Sequence, residues 1–350
     1  MVLRKAVIGL DRDGEDLHLV EVRAGREGAF LHAAASLETA DPGKLAALLR
    51  EERRSGRFTA RCGVMALPAA GAIVKDLELP PLPAAATGAA AAAALEDRIP
   101  FSPSDLCLAW ERPGRGRMVR VSAAGRAAVE EGRSFLVSAG LNPGRLYPRP
   151  AALAAAFRFA CRGEAPGRTV LLELRPGDSA AVFLEDGRIR HAHPLPGLGE
   201  GEDFAALCAD LRLALGLMRR EPSWKGPVSL WLTGPGARRP GLREALAEAV
   251  GFEPAAIRPV VPRGILRRAG LPEPGPEAMA AIGACLMALG LEEAPPDLLA
   301  GLAAARKAQT AGWAPAVPFG LAFLLLLGAS RLLAGAALRE AAAGEAWLAR

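Results

Sequence analysis

The chain has 350 residues, 51% of them hydrophobic, and a formal net charge of +5; the part ahead of Trp313 is long enough to bury two packed domains. Aromatics make up only 5% and no basic stripe interleaves with stacking residues, so nucleic acid is not an expected partner and the excess charge points to anionic lipid headgroups instead. Cys62, Cys107, Cys161, Cys208 and Cys285 are odd in number, scattered and without a Cys-x-x-Cys pair, which excludes a disulfide framework or a zinc site and leaves small core residues.

Met1 to Leu10 turns polar too quickly for a signal peptide, so the amino-terminal mass is expected to stay in the cytoplasm. Val7 to Leu10 reads as a strand, Asp11-Arg12-Asp13-Gly14 as a turn, and Leu17 to Val22 as the returning strand of a hairpin. Ala29 to Leu37 gives a third strand. Asp41-Pro42 then opens a helix through Arg54 with Leu45, Leu48 and Leu49 on one face. Gly63 to Leu67 and Ile73 to Leu79 are further strands, and the set describes half of a mixed α/β layer domain.

Next come Leu77-Glu78-Leu79-Pro80-Pro81-Leu82-Pro83, an alanine-rich helix, and Leu95-Glu96-Asp97-Arg98-Ile99-Pro100-Phe101. Val119 to Ala123, a helix from Ala127 to Ala139, and Gly140-Leu141-Asn142-Pro143 follow. In this order and in these motifs the sequence resembles the PilM family, actin-like cytoplasmic proteins of type IV pilus assembly machines. The alanines between Pro83 and Glu96 stand where that family has glutamates and aromatics. They keep the segment helical but leave that face without the family's side chains.

The second half repeats the first. Val170 to Leu174 and Ala180 to Leu184 are strands around the turn Arg175-Pro176-Gly177-Asp178, and Glu185-Asp186-Gly187-Arg188 is a hairpin turn. A helix from Asp203 to Arg220, a strand Val228 to Leu232, the loop Thr233-Gly234-Pro235-Gly236, a helix from Gly241 to Val250 and an amphipathic helix Glu277 to Leu289 complete it. The resemblance thus implies an α/β, actin-like (ribonuclease H-like) duplicated fold. Domain 1 covers 1–165 with an inserted subdomain at about 80–150, and domain 2 covers 166–290.

The same resemblance implies a nucleotide cleft, in degenerate form. Asp11 and Gly14 on the first hairpin, Glu173 and Gly177 on the second, and Gly234 and Gly236 beside them stand at its positions. An acid there would hold magnesium, and glycines would let backbone N–H groups close on phosphates. Asp13 takes the place of a small residue, His18 that of a lysine, and Glu173-Leu174-Arg175 that of Asp-x-Gly, so Arg175 lacks a glycine's freedom. Magnesium-ATP remains the one cofactor the resemblance leaves open, and catalysis is not expected. His191 and His193 alternate on a strand without a nearby carboxylate or Cys and read as surface residues, not metal ligands.

Residues 291–312 form a linker in which Pro296-Asp297-Leu298-Leu299-Ala300-Gly301-Leu302 is similar to the juxtamembrane Asn-Leu-Leu segments of PilN and of GspL from type II secretion. Leu298 and Leu299 are its candidate partner-binding residues. From Trp313 to Ser330 there is no charge, and residues 313–338 read as one membrane-spanning helix. Arg331 then falls about 25 Å along it, within reach of the far headgroups. A tail, 339–350, follows. The expectation is a non-enzymatic, oligomeric scaffold at the bacterial inner membrane with its main domain cytoplasmic, linking a motor ATPase to PilN/PilO-like platform proteins. A GspL-like secretion component and a nucleotide-binding switch are the alternatives.

Overall fold

The computed structural model describes residues 6–313 except 15, 27, 39–40, 97–101, 103–104, 113–116, 162–166, 200–203, 221–223, 225–227, 254–255 and 261–263. The chain divides into two compact units, Met1–Leu302 and Ala303–Arg350; of the second, only a helical stretch ending at Trp313 is described.

The first unit opens with β1 (Ala6–Asp13), β2 (Asp16–Gly25), β3 (Gly28–Leu37), α1 (Pro42–Arg54) and β4 (Cys62–Leu67). An insertion follows: β5 (Ala72–Glu78), α2 (Ala84–Leu95), β6 (Leu106–Glu111) and β7 (Met118–Gly125). Then come α3 (Arg126–Ser138), β8 (Asn142–Pro148) and α4 (Arg149–Ala160). The second half contains β9 (Arg168–Glu173), β10 (Asp178–Glu185), β11 (Arg188–Pro196), α5 (Ala205–Arg220), β12 (Ser229–Thr233), α6 (Leu242–Val250), β13 (Ile257–Pro259), β14 (Leu266–Arg267) and α7 (Met279–Ala288). Last is α8 (Leu298–Trp313).

The duplication is visible in the sheets. β3-β2-β1-β4-β8 and β11-β10-β9-β12-β13 share one order. In each, the first three strands pair antiparallel and the last three parallel. β14 adds to the outer edge of β3, while β5, β7 and β6 form a separate antiparallel sheet.

Local chemistry explains several boundaries. The Asp41 carboxylate accepts from the N–H groups of Gly43 and Lys44 at 2.7 and 3.1 Å, and Pro42 occupies the first turn of α1. Asp186 and Gly187 both have positive φ, 51° and 75°, as a two-residue hairpin turn with the strands' own twist requires. The segment Asp11 to Gly14, expected as a turn, is different. β1 runs on to Asp13, opposite Asp16, because Asp11 finds partners inside the protein and its polarity does not end the strand.

The helix expected to be amphipathic at Glu277 to Leu289 is corrected as well. It is a short 3-10 turn, Pro276–Ala278, followed by α7, every residue of which from Met279 to Met287 is buried. A helix apolar all round belongs in an interior. α7 and α4 cross backbone to backbone: a Cβ on Gly283 would lie 1.7 Å from the Ala152 carbonyl oxygen, and one on Gly9 of β1 would lie 2.2 Å from that of Ala281. None of the five cysteines forms a disulfide among the described residues.

Ile99-Pro100-Phe101 lies outside the described residues, as do the expected span and tail beyond Trp313. Among the described residues no helix is long and apolar enough to cross a membrane.

Candidate functional site

β1 and β9 are equivalent central strands, and toward their carboxyl ends they carry the acids Asp11 and Glu173, both fully buried. The structure therefore brings together the two carboxylates singled out in the sequence. Two guanidinium groups lie between and around them. Arg149, the first residue of α4, donates from Nε to Asp11 Oδ1 at 3.1 Å, from Nη1 to Asp178 Oδ1 at 2.8 Å, and from Nη2 to the Arg12 carbonyl at 2.6 Å. Arg175 donates from Nε to Glu173 Oε1 at 2.6 Å and from Nη2 to Asp11 Oδ2. Its own backbone is held too, the N–H by Ser179 Oγ at 3.1 Å and the carbonyl by the Leu198 N–H at 2.7 Å.

The electrostatics follow from burial. Removing Arg149 from water disfavours its charge, but Asp11, Glu173 and Asp178 outweigh this and raise its pKa. Burial also raises the pKa of Glu173, although Arg175 and Arg149 pull it down. Glu173 Oε2 has no hydrogen-bond partner among the described residues. Two arginines and two aspartates already balance, so a proton on Glu173 would leave the cluster neutral. The cluster satisfies most of its own charge without a ligand.

The glycines behave in the same way. The Gly234 N–H donates to the Pro276 carbonyl at 3.1 Å and the Gly236 N–H to the Leu174 carbonyl at 3.0 Å. Gly234 has φ 83°, and a Cβ there would lie 2.5 Å from the Leu174 oxygen, so the glycine serves close backbone packing. Gly177 sits in the bend between β9 and β10, backed by Gly197, whose Cβ would lie 2.8 Å from the Gly177 oxygen. Gly14, with φ 59°, shapes the β1–β2 turn and makes none of the cluster's described hydrogen bonds. His18 is buried, 3.0 Å from Ser36 Oγ through Nδ1, and desolvation lowers its pKa. Among the described residues no group of three His, Cys, Asp or Glu side chains could hold a metal ion.

Arg149 was not singled out in the sequence reading. A signal was there: a lone Arg between Pro148 and Pro150 heads a run of alanines and phenylalanines. A cation at the amino end of an apolar helix opposes the helix dipole and needs an acidic partner.

A second arrangement involves the start of α8. Asp297 Oδ1 accepts from the N–H groups of Leu146 on β8 and Leu299, both at 3.0 Å, so one side chain caps the helix and ties it to the sheet. Leu298 and Leu302 are buried in the cluster formed by Cys107, Ala124, Phe135 and Leu146, with Leu299 packed partly buried at its margin. The Leu298 carbonyl accepts from the Cys107 thiol at 3.2 Å, and burial pushes that thiol's pKa up to about 12. At Gly301 a Cβ would lie 2.7 Å from the Leu108 oxygen of β6, so the helix touches the strand backbone there. Residues 298–302, read as linker, are thus helical and docked.

Upstream of that dock, ion pairs fix residues 292–293. Arg120 of β7 bridges Asp76 of β5 and Glu293. Arg158 of α4 donates to Glu292 Oε2 at 3.0 Å and to the Gly187 carbonyl at 2.9 Å.

No protein-family model matches the sequence, and no curated protein matches it either. Solved structures do. The chain is similar to the PilM-PilN type IV pilus biogenesis complex, with a TM-score of 0.67 and 22% identity over 82% of this chain and 99% of that one. It is also similar to the cytoplasmic domain of EpsL, an inner membrane component of the type II secretion system of Vibrio cholerae, with a TM-score of 0.44 and 15% identity over 66% and 82%. A Bacteroides thetaiotaomicron protein of actin-like ATPase fold and unknown function matches with a TM-score of 0.46 and 10% identity over 74% and 91%. At these identities the likeness is one of fold, and the fold is α/β and actin-like.

Proposed function

We propose that this chain is a non-enzymatic scaffold of a type IV pilus assembly machine at the bacterial inner membrane, linking a cytoplasmic motor ATPase to PilN/PilO-like platform proteins. The observation that carries the proposal is the docking of Asp297 to Leu302 against β8, β6 and the core beneath them. This is the segment whose sequence is similar to the juxtamembrane part of PilN, and it shares a chain with the actin-like domain. Joining the two on one chain raises the segment's effective concentration to millimolar values or more, which makes docking the resting state. The buried arginine network supports a structural role over a catalytic one, since magnesium would need the acids that Arg149 and Arg175 already hold.

The presence of both parts on one chain favours a second reading, a GspL-like component of a secretion platform. Cross-linking the full chain in native membranes and identifying its neighbours by mass spectrometry separates the two. Pilus platform proteins are expected. Secretion components in their place would select the second reading, and recovery of neither would sink both.

A further inference from the structure

α5 packs Leu207, Cys208, Leu211, Ala214, Leu215 and Met218 into the second core. Its opposite face is unusual for a solvated helix. Ala206, Ala209, Asp210, Leu213, Gly216, Leu217 and Arg220 are all exposed and fall at helical spacing on one stripe. Leu213 is 59% and Leu217 48% accessible, two of the five large exposed hydrophobic side chains among the described residues, one turn apart. Among the described residues neither Asp210 nor Arg220 forms an ion pair, so both charges are available to a partner.

The order of these residues is self-complementary. Consider two copies of the helix laid antiparallel about a two-fold axis at residue 215. Leu213 meets Leu217 of the second copy, Asp210 meets Arg220 of the second copy, and each contact occurs twice. Gly216 lies beside the axis, where a missing side chain lets two helices approach to the short end of the usual 8–10 Å range. A helix of unrelated sequence would match the leucines but would have no reason to offer an acid and a base at these two distances.

The geometry points to a homodimer of this chain through α5, antiparallel, with Leu213 and Leu217 at its centre and Asp210–Arg220 pairs at both ends. One helix pair buries less than the roughly 1,200–2,000 Å² of a stable free-standing interface. The dimer is therefore weak and belongs to a setting where copies are already concentrated.

The test uses the full chain in membranes, with Gly216→Cys as the reporter. Gly216 lies one residue from the axis, so its two copies are separated by two residues, about 3 Å of helix rise, which suits a disulfide. Oxidation is expected to give a dimer band. Adding Asp210→Arg, or Arg220→Asp, places like charges opposite each other and is expected to reduce the band about tenfold. Carrying both reversals on one chain is expected to restore it, which also shows that the single variants fold. Absence of the band in the otherwise unaltered chain, indifference to the single reversals, or failure of the double reversal to recover would each overturn the proposal.

Discussion

Arg149 Nε donates to Asp11 Oδ1 at 3.1 Å with both side chains fully buried, joining the head of α4 to β1. Through Asp178 the same guanidinium reaches the start of β10, and through Asp11 it meets Arg175. Residues from both halves of the duplicated fold thus share one buried charge network. A network of this kind adds little to stability compared with apolar packing of similar volume, but it is costly to break, because removing one member strands another charge without water.

Replacing Arg149 by Met is expected to cost about 3–5 kcal/mol of unfolding free energy, the usual penalty for orphaning a buried charge. Asp11→Asn should cost a similar amount. The two together should cost clearly less than the sum, since they remove the same interaction. Urea unfolding of the four variants measures this, and simple additivity would mean that the two groups do not act as a pair.

Magnesium-ATP is expected to give no binding heat up to millimolar concentration in calorimetry of the full chain. Magnesium would have to displace guanidinium groups from Asp11 and Glu173, and phosphate would have to draw the Gly234 and Gly236 N–H groups from the carbonyls they serve. Micromolar binding would show that the network opens, and would return the chain to the class of nucleotide-gated switches.

What the sequence made legible follows from which signals are local. Both hairpins, α1 with its Asp41 cap, and the glycine turn at Asp186-Gly187 are written in alternation, caps and turn residues that act within a few positions. The repeated hairpin exposed the duplication. Asp11 and Glu173 could be singled out because the resemblance to the PilM family places its nucleotide loops at them. Their occupants could not, since Arg149 reaches Asp11 from 138 positions away and no spacing records that. α7 was misread for a related reason: being buried on every side depends on α4 and β1, not on its own periodicity.

The docked start of α8 gives a third prediction. Leu298→Ala is expected to destabilise the protein by about 2–5 kcal/mol, as large-to-small changes in a packed core do. Leu298→Asp is expected to release the segment and open 291–302 to protease, with the rest of the first unit still resistant. Gly301→Ala should do the same by a different route, because the new methyl group would press on the Leu108 carbonyl at 2.7 Å. An unchanged cleavage pattern in both variants would leave the segment an ordinary linker.

Two buried glutamates should respond to pH with opposite sign. Burial pushes the Glu21 pKa up, but hydrogen bonds from the Thr59 and Ala60 N–H groups, the Thr59 hydroxyl and Arg23 prevail and hold it below its ordinary 4.5. The folded state then binds fewer protons than the unfolded one, so the stability from Glu21 is complete above about pH 4.5 and is lost as the pH falls toward the depressed value. Glu173, raised from 4.5 by burial, keeps its proton better in the folded state. Its contribution is largest at low pH and declines as the pH rises from 4.5 toward the raised value. Stability curves from pH 3 to 8, about the range in which these carboxyls titrate, should therefore diverge. Glu21→Gln should lower stability at neutral pH and flatten the acid limb. Glu173→Gln, which fixes the neutral form, should match the unaltered protein near pH 4 and gain on it as the pH increases. If Glu173→Gln instead loses stability at neutral pH, the carboxylate is ionised in the folded protein and the network carries a net negative charge.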